Sequence, residues 1–187
     1  MVKKISLYAL LFATLIGCAE FRLVNDYDEV IDKGIIDFSE QFNAHVKDMG
    51  DLAGTQEGTY EANLKSYNAL DAKIDVMIAR ASITSEGQGC KLEKKIYERV
   101  KEILKTDTPV ELQNSDASKT GNANGCNERL LVLVKQQLSL VREIHKTTDK
   151  CGEKNLSCVR PATSRTALNI ANQTINAVSV VETAKKK

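Results

Sequence analysis

Cysteines are the side chains of this 187-residue sequence best suited to covalent chemistry. Four of its five cysteines, Cys90, Cys126, Cys151 and Cys158, are separated by 36, 25 and 7 positions. The spacing contains no C-x-x-C pair, and neither histidine stands beside a cysteine pair, so it favours two disulfides. A zinc site and free thiols are the alternatives. Four cysteines can pair in three ways, and the sequence leaves the pairing open, although a Cys90–Cys126 bond would join two predicted helix starts.

Acid–base chemistry would have to come from two histidines, His45 and His145. Each stands near the end of a predicted helix, and we predict a surface or helix-capping role for both. The sequence contains no G-x-S-x-G nucleophile motif and no phosphate-binding glycine loop. It also lacks a Glu-x-x-His di-metal motif and a C-x-x-C-H haem site. We therefore expect no catalytic residue, no bound metal and no cofactor, and predict that the protein is not an enzyme.

The first 18 residues, MVKKISLYALLFATLIGC, have the layout of an export signal. Two lysines precede an apolar run that is shorter than the roughly 20 residues needed to cross a bilayer. The closing Leu15-Ile16-Gly17-Cys18 resembles the lipobox of bacterial lipoproteins. This resemblance implies cleavage after residue 17, diacylglycerol on the Cys18 sulfur, and acylation, for example with palmitate, of the new amino terminus. An ordinary secretory signal with a chance cysteine, or an uncleaved anchor, is the alternative.

The resemblance also divides the chain. Residues 1–17 would be the signal peptide, residues 18–25 the lipidated cysteine with a short tether, and residues 26–187 the folded domain. Ala19 resembles the residue that follows the lipidated cysteine in lipoproteins of the Gram-negative outer membrane. The resemblance therefore implies an outer-membrane anchor, with the domain facing either the periplasm or the exterior.

Charge limits the classes of partner. Without the first 17 residues, which hold two lysines and no acid, the chain carries 24 basic and 25 acidic residues. It lacks the basic excess that nucleic-acid binding requires. Membrane attachment would come from the acyl chains, and two or more chains hold much more firmly than one.

Apolar residues at steps of three and four predict an all-α domain, an antiparallel bundle of four to five helices stabilised by disulfides. Two prolines and the absence of tryptophan argue against a β-sandwich. The predicted helices cover residues 25–50, 59–83, 91–105, 127–147 and 161–184. The polar stretch between the third and fourth is predicted to be either a mobile loop or a long crossover connection.

The last predicted helix has an unusual composition, because no charged residue occurs between Thr166 and Val181. Its apolar residues form two stripes separated by amides. Such a helix is either contacted on two sides within the domain or in contact with another chain. In the second case the contact would involve four amide side chains, Asn169, Asn172, Gln173 and Asn176.

Together these features predict a lipid-anchored envelope protein that serves as a non-catalytic interaction, assembly or docking factor. Its partner would be another envelope protein, and a homo-oligomer is also possible. The alternative is a periplasmic helical bundle that binds a small apolar ligand between its helices.

Overall fold

The computed structural model describes residues 27–85, 90 and 125–186. Helices account for 78% of these residues. In chain order the described elements are α1 (Glu29–Asp51), α2 (Tyr60–Thr84), α3 (Cys126–Glu143), a π-helical turn (Ile144–Thr148), β1 (Lys150–Cys151), β2 (Leu156–Ser157) and α4 (Pro161–Ala184). The predicted signal peptide, Cys18 with its tether, the predicted helix 91–105 and the stretch 106–124 lie outside the described residues.

The prediction of a mainly helical fold is confirmed, but an all-α fold is wrong in one place. Strands β1 and β2 pair antiparallel as a short hairpin between the π-helical turn and α4. Gly152 and Asn155 adopt positive φ angles of 71° and 51°, which tight turns need and which glycine and asparagine tolerate best. These turn residues allow the two strands to pair as a hairpin between the predicted fourth and fifth helices.

Helix boundaries follow local capping. The Asp28 side chain accepts hydrogen bonds from the backbone amides of Val30 and Ile31, so α1 begins later than the predicted start at residue 25. Thr59 caps α2 in the same manner. Pro161 opens α4, as predicted, because a first-turn proline forfeits no helical hydrogen bond.

Each described helix packs against two others. Helix α1 lies against α2 and α4, and α3 also lies against α2 and α4. The apolar residues that predicted the helices face this shared core. The largest of its fully buried apolar side chains are Ile31, Ile35, Phe38, Phe42, Tyr67, Ile74, Leu130, Leu131 and Leu138.

Contacts between helix termini define two ends of the molecule. At the first, Arg80 pairs with Asp28 at 2.6 Å, the Glu182 carboxylate accepts the Asp28 amide, and the Gly125 amide donates to Ser85. We call this the Glu182 end. The opposite end holds the α1–α2 loop, the π-helical turn and the hairpin, and we call it the hairpin end.

Two disulfides resolve the cysteine alternatives. Cys90 bonds to Cys126 and Cys151 bonds to Cys158, with Cα–Cα distances of 4.4 and 5.9 Å. The prediction of two disulfides is confirmed, and one of the three possible pairings is selected. Cys90–Cys126 fixes the start of α3 at the Glu182 end. Cys151–Cys158 closes the hairpin at the other.

Candidate functional site

A partly open groove lies between the second half of α3 and the first half of α4. Its volume is about 350 Å³. The lining residues are Gln137, Leu140, Val141, Ile144, Ala162, Thr163, Thr166, Ala167 and Ile170. None carries a charge. The groove offers an apolar surface with a few hydroxyl and amide groups, which is suited to binding and supplies no nucleophile–base pair.

Two exposed apolar side chains and a fixed start of α4 shape this surface. Leu140 and Ile170 are 52% and 42% exposed, unusually high fractions for large apolar side chains. Asp149 fixes the start of α4, because its carboxylate accepts hydrogen bonds from the Arg160 amide at 3.0 Å and the Thr163 hydroxyl at 2.9 Å. Thr163 and the following turn of α4 are thereby held along the groove wall.

The four predicted partner-binding amides stand at steps of three and four on α4 but differ in exposure. Asn169 and Asn176 are exposed, whereas Asn172 and Gln173 are half-buried. The Asn172 side-chain amide forms two reciprocal hydrogen bonds, each 2.9 Å long, with that of Asn43 on α1. Asn172 therefore contributes to the contact between α1 and α4.

The uncharged stretch contributes three residues to the groove, Thr166, Ala167 and Ile170, and none of them is one of the four predicted amides. Thr166 and Ile170 stand four residues apart on one side of α4, and both lie inside or at the edge of that stretch. Ile170 belongs to the second apolar stripe. The second apolar stripe was therefore the sequence feature that could have predicted a groove residue on α4.

The predicted surface or capping role of the histidines is wrong. His45 is 8% exposed and His145 is fully buried. The His145 Nε2 lies 2.9 Å from the Gly58 carbonyl oxygen, which can only accept, so Nε2 carries the proton. Its Nδ1 then accepts a hydrogen bond from the Tyr67 hydroxyl, also at 2.9 Å. The histidine is missed because its polar partners come from α2 and the α1–α2 loop, distant in sequence.

His45 packs edge-on against the Tyr67 ring, with ring centroids 4.5 Å apart, and its Nε2 has no hydrogen-bond partner. Burial, helped by the nearby His145, lowers the pKa of His45 to about 4. Burial also lowers the pKa of His145 and raises that of the Tyr67 hydroxyl. These groups are neutral near pH 7, and they hold the hairpin end together.

Across residues 27–85, 90 and 125–186, no three histidine, cysteine or acidic side chains are grouped so as to hold a metal ion. None of the described helices is both long and apolar enough to span a bilayer.

The chain matches no protein-family model, no curated protein and no solved structure.

Proposed function

We propose that this protein is a lipid-anchored envelope protein, attached through Cys18, that acts as a non-catalytic docking factor. The groove between α3 and α4 would receive an uncharged, apolar segment of an envelope partner. The observation that carries this proposal is an exposed apolar groove lined without a single charge.

We further propose that the four described helices form an antiparallel bundle. Three terminal contacts support this arrangement. The start of α1 meets the end of α4 through Asp28 and Glu182, and it meets the end of α2 through Arg80. The end of α2 meets the start of α3 through Ser85 and Gly125.

The proposed anchor would set the orientation of the domain. Ten positions separate Cys18 from Asp28, a stretch that reaches about 35 Å when fully extended. The Glu182 end would then lie nearer the membrane. Helix α1 has 23 residues and is about 35 Å long, so the hairpin end would point away from the lipid. The groove, which includes Ile144 of the π-helical turn, lies toward that outer end.

The chemistry of the groove limits its occupant. An ionised side chain placed there would lose water without gaining an opposite charge, which is costly. Aliphatic side chains would instead replace water on Leu140 and Ile170. Gln137 could donate a hydrogen bond to the bound segment or accept one from it, whereas the Thr163 and Thr166 hydroxyls, which already donate to Asp149 and the Ala162 carbonyl, could accept one. A short apolar segment therefore fits better than an acidic or basic one.

Crosslinking in cells, followed by purification and mass spectrometry, tests the proposal. We expect one envelope protein in stoichiometric amount with the acylated chain. The Ile170→Lys variant should reduce its capture at least about tenfold, because a 1.4 kcal/mol loss already gives that factor. The matched control is Val76→Lys, since Val76 is 66% exposed on α2, a helix that contributes no lining residue.

The possible outcomes test the groove, the lipid anchor and the docking role separately. Equal loss in both lysine variants would contradict docking in the groove. A partner retained by a Cys18→Ala form that carries a non-lipid signal would show that the anchor is not needed for capture. Absence of any partner above background would contradict the docking role itself.

A second candidate function uses the same groove. Its volume of about 350 Å³ is within the range of small-molecule sites, near the lower limit. A small apolar ligand would then be its occupant. Native mass spectrometry of the protein purified from cells should show added mass that Ile170→Lys removes, whereas a clean mass of the lipidated chain alone would count against this function.

A further inference from the structure

His145 is the buried link between three parts of the hairpin end. Its ring stands on the π-helical turn, accepts the Tyr67 hydroxyl from α2 and donates to Gly58 in the α1–α2 loop. The start of α2 meets the hairpin nearby, since the Tyr60 amide donates to the Ser157 hydroxyl at 2.9 Å. The Tyr67 contact needs an unprotonated Nδ1 and the Gly58 contact needs a proton on Nε2, so the two together fix the neutral ring with its proton on Nε2.

Protonation would disfavour this arrangement. A charged His145 donates from both nitrogens, so the Tyr67 hydroxyl could no longer donate to it and would need another acceptor. A charged His45 would sit in a buried position with an unpartnered Nε2 and a second cationic ring close by. Both changes bury charge without full compensation.

Other charged groups face the histidines from each neighbouring element. Asp48 on α1 favours the charged form of His45. Glu61 on α2 and Asp149 after the π-helical turn favour the charged form of His145. Burial outweighs all three, because the pKa values of both histidines remain lowered.

These groups also have partners of their own. Glu61 accepts a hydrogen bond from Ser157 of the hairpin, and Asp149 holds the Arg160 amide and the Thr163 hydroxyl at the start of α4. On α3, Arg142 contributes a positive charge, bonded to the Tyr60 hydroxyl at 3.1 Å. No carboxylate makes a direct hydrogen bond to either histidine ring among the contacts of the described residues.

We propose that His145, His45 and Tyr67 form an acid-sensitive latch that holds the α1–α2 loop against the π-helical turn and hairpin. Protonation of the histidines opens the latch, and this end loosens while the Glu182 end stays closed. The latch does not depend on the docking role of the groove. The latch would be present whether or not a partner binds in the groove.

The size of the effect follows from proton linkage. With a pKa of about 4 when closed and about 6.5 when open, His45 alone favours the open form roughly 30-fold more at pH 5 than at pH 7.5. His145 adds to this in the same direction, since burial also lowers its pKa. Opening should be insensitive to pH above about 7, where both forms are unprotonated.

Hydrogen exchange of the full, disulfide-bonded chain, without the lipid, provides the test. Rates would be corrected for the intrinsic effect of pH. We expect amides of residues 58–67 and 144–157 to open at least tenfold more at about pH 5 than at about pH 7.5. Amides near Glu182 should change by less than about twofold. Equal change at both ends, or none at the hairpin end, would overturn the proposal.

A double variant, His45→Phe with His145→Gln, removes both titrations. Phenylalanine keeps a ring against Tyr67, and glutamine keeps one neutral donor and one acceptor. The pH dependence of exchange at the hairpin end should disappear. Persistence of that dependence in a folded variant would contradict the latch.

The natural protein offers a test that needs no substitution in the latch. Because the chain has only two histidines, their ring signals in a proton–carbon NMR spectrum are readily followed. Neither should titrate near 6.5 while the hairpin end is closed. Two ordinary titrations near 6.5, with the 58–67 amides still protected, would overturn the proposal even if the double variant fails to fold.

Discussion

The two ends of this molecule are closed by opposite kinds of chemistry. At the Glu182 end, a fully buried carboxylate accepts the Asp28 amide and the Lys185 ammonium, at 3.1 and 2.8 Å. At the hairpin end, neutral histidine and tyrosine rings and turn residues join the neighbouring elements, and each end also carries one disulfide. The difference matters because charged and neutral closures fail at different pH values.

Two carboxylates at the Glu182 end, Asp28 and Asp32, have lowered pKa values. The hydrogen bond from Lys186 lowers the pKa of Asp32. Burial raises the pKa of Asp28, but Arg80 and two backbone amides outweigh it, and the net shift is downward. Groups with lowered acidic pKa values stabilise the fold until the pH falls through those values. Mild acid should therefore weaken the hairpin end first.

Removing the charge at the Glu182 end should give the largest effect. Glu182→Ala would leave the Lys185 ammonium, whose side chain is 7% exposed, without its partner, and would also orphan the Asp28 amide. We expect the free energy of unfolding to fall by about 3–5 kcal/mol, measured by urea denaturation. Glu40→Ala, at an exposed position of α1, should cost less than about 0.5 kcal/mol. Similar values for both would contradict a charged clamp at this end.

The disulfide at the Glu182 end should stabilise the fold more than the disulfide at the hairpin end. In the chain-entropy model, removal of Cys90–Cys126, with a separation of 36 residues, costs about 4 kcal/mol, and removal of Cys151–Cys158, with a separation of 7, costs about 2.5 kcal/mol. Paired alanine substitutions and urea denaturation would measure both. The reverse order would mean that the hairpin disulfide acts on the native turn more than on the unfolded chain.

Acid should expose the contrast between the ends directly. The unfolded chain binds protons at His45 below about 6.5, but the folded chain does so only near 4, so stability falls as the pH drops through that window. The expected loss is about 3 kcal/mol from His45, obtained from denaturation midpoints. His45→Phe should flatten the curve between those pH values. An unchanged curve would assign the acid response to other groups.

Periodicity alone predicted most of the fold, because α1, α2 and α4 each bury one stripe at steps of three and four. Local chemistry also predicted Pro161 as the start of α4 and the involvement of all four cysteines in disulfides. Helix α1 is capped by Asp28 and does not begin at the predicted residue 25, because hydrogen-bond geometry decides which residue caps a helix. Several acidic or amide residues in this stretch have side chains that can cap a helix equally well.

The groove and the histidine cluster could not be predicted in the same way. Both depend on which residues of separate elements come together: Leu140 with Ile170, and His145 with Tyr67 and Gly58. A histidine at a helix end has the same local sequence whether a loop folds over it or leaves it in water. Whether a side chain is buried depends on the packed molecule, and a single sequence does not show which residues will pack against it.

The smallest expected effect concerns the stretch between the two ends. Asn172 and Asn43 join α4 to α1 by two reciprocal amide hydrogen bonds, with no charge involved. Asn172→Ala should lower the free energy of unfolding by about 1 kcal/mol, whereas Asn176→Ala, at an exposed position, should change it by less than about 0.5. Urea denaturation at pH 7 and pH 5 would give the same difference if the pair is insensitive to acid. Equal effects of the two substitutions would show that the amide pair does not stabilise the contact.

Capture of a partner should then be compared between the same two variants, because loss of capture with Asn176→Ala alone would mark a binding contact separate from stability.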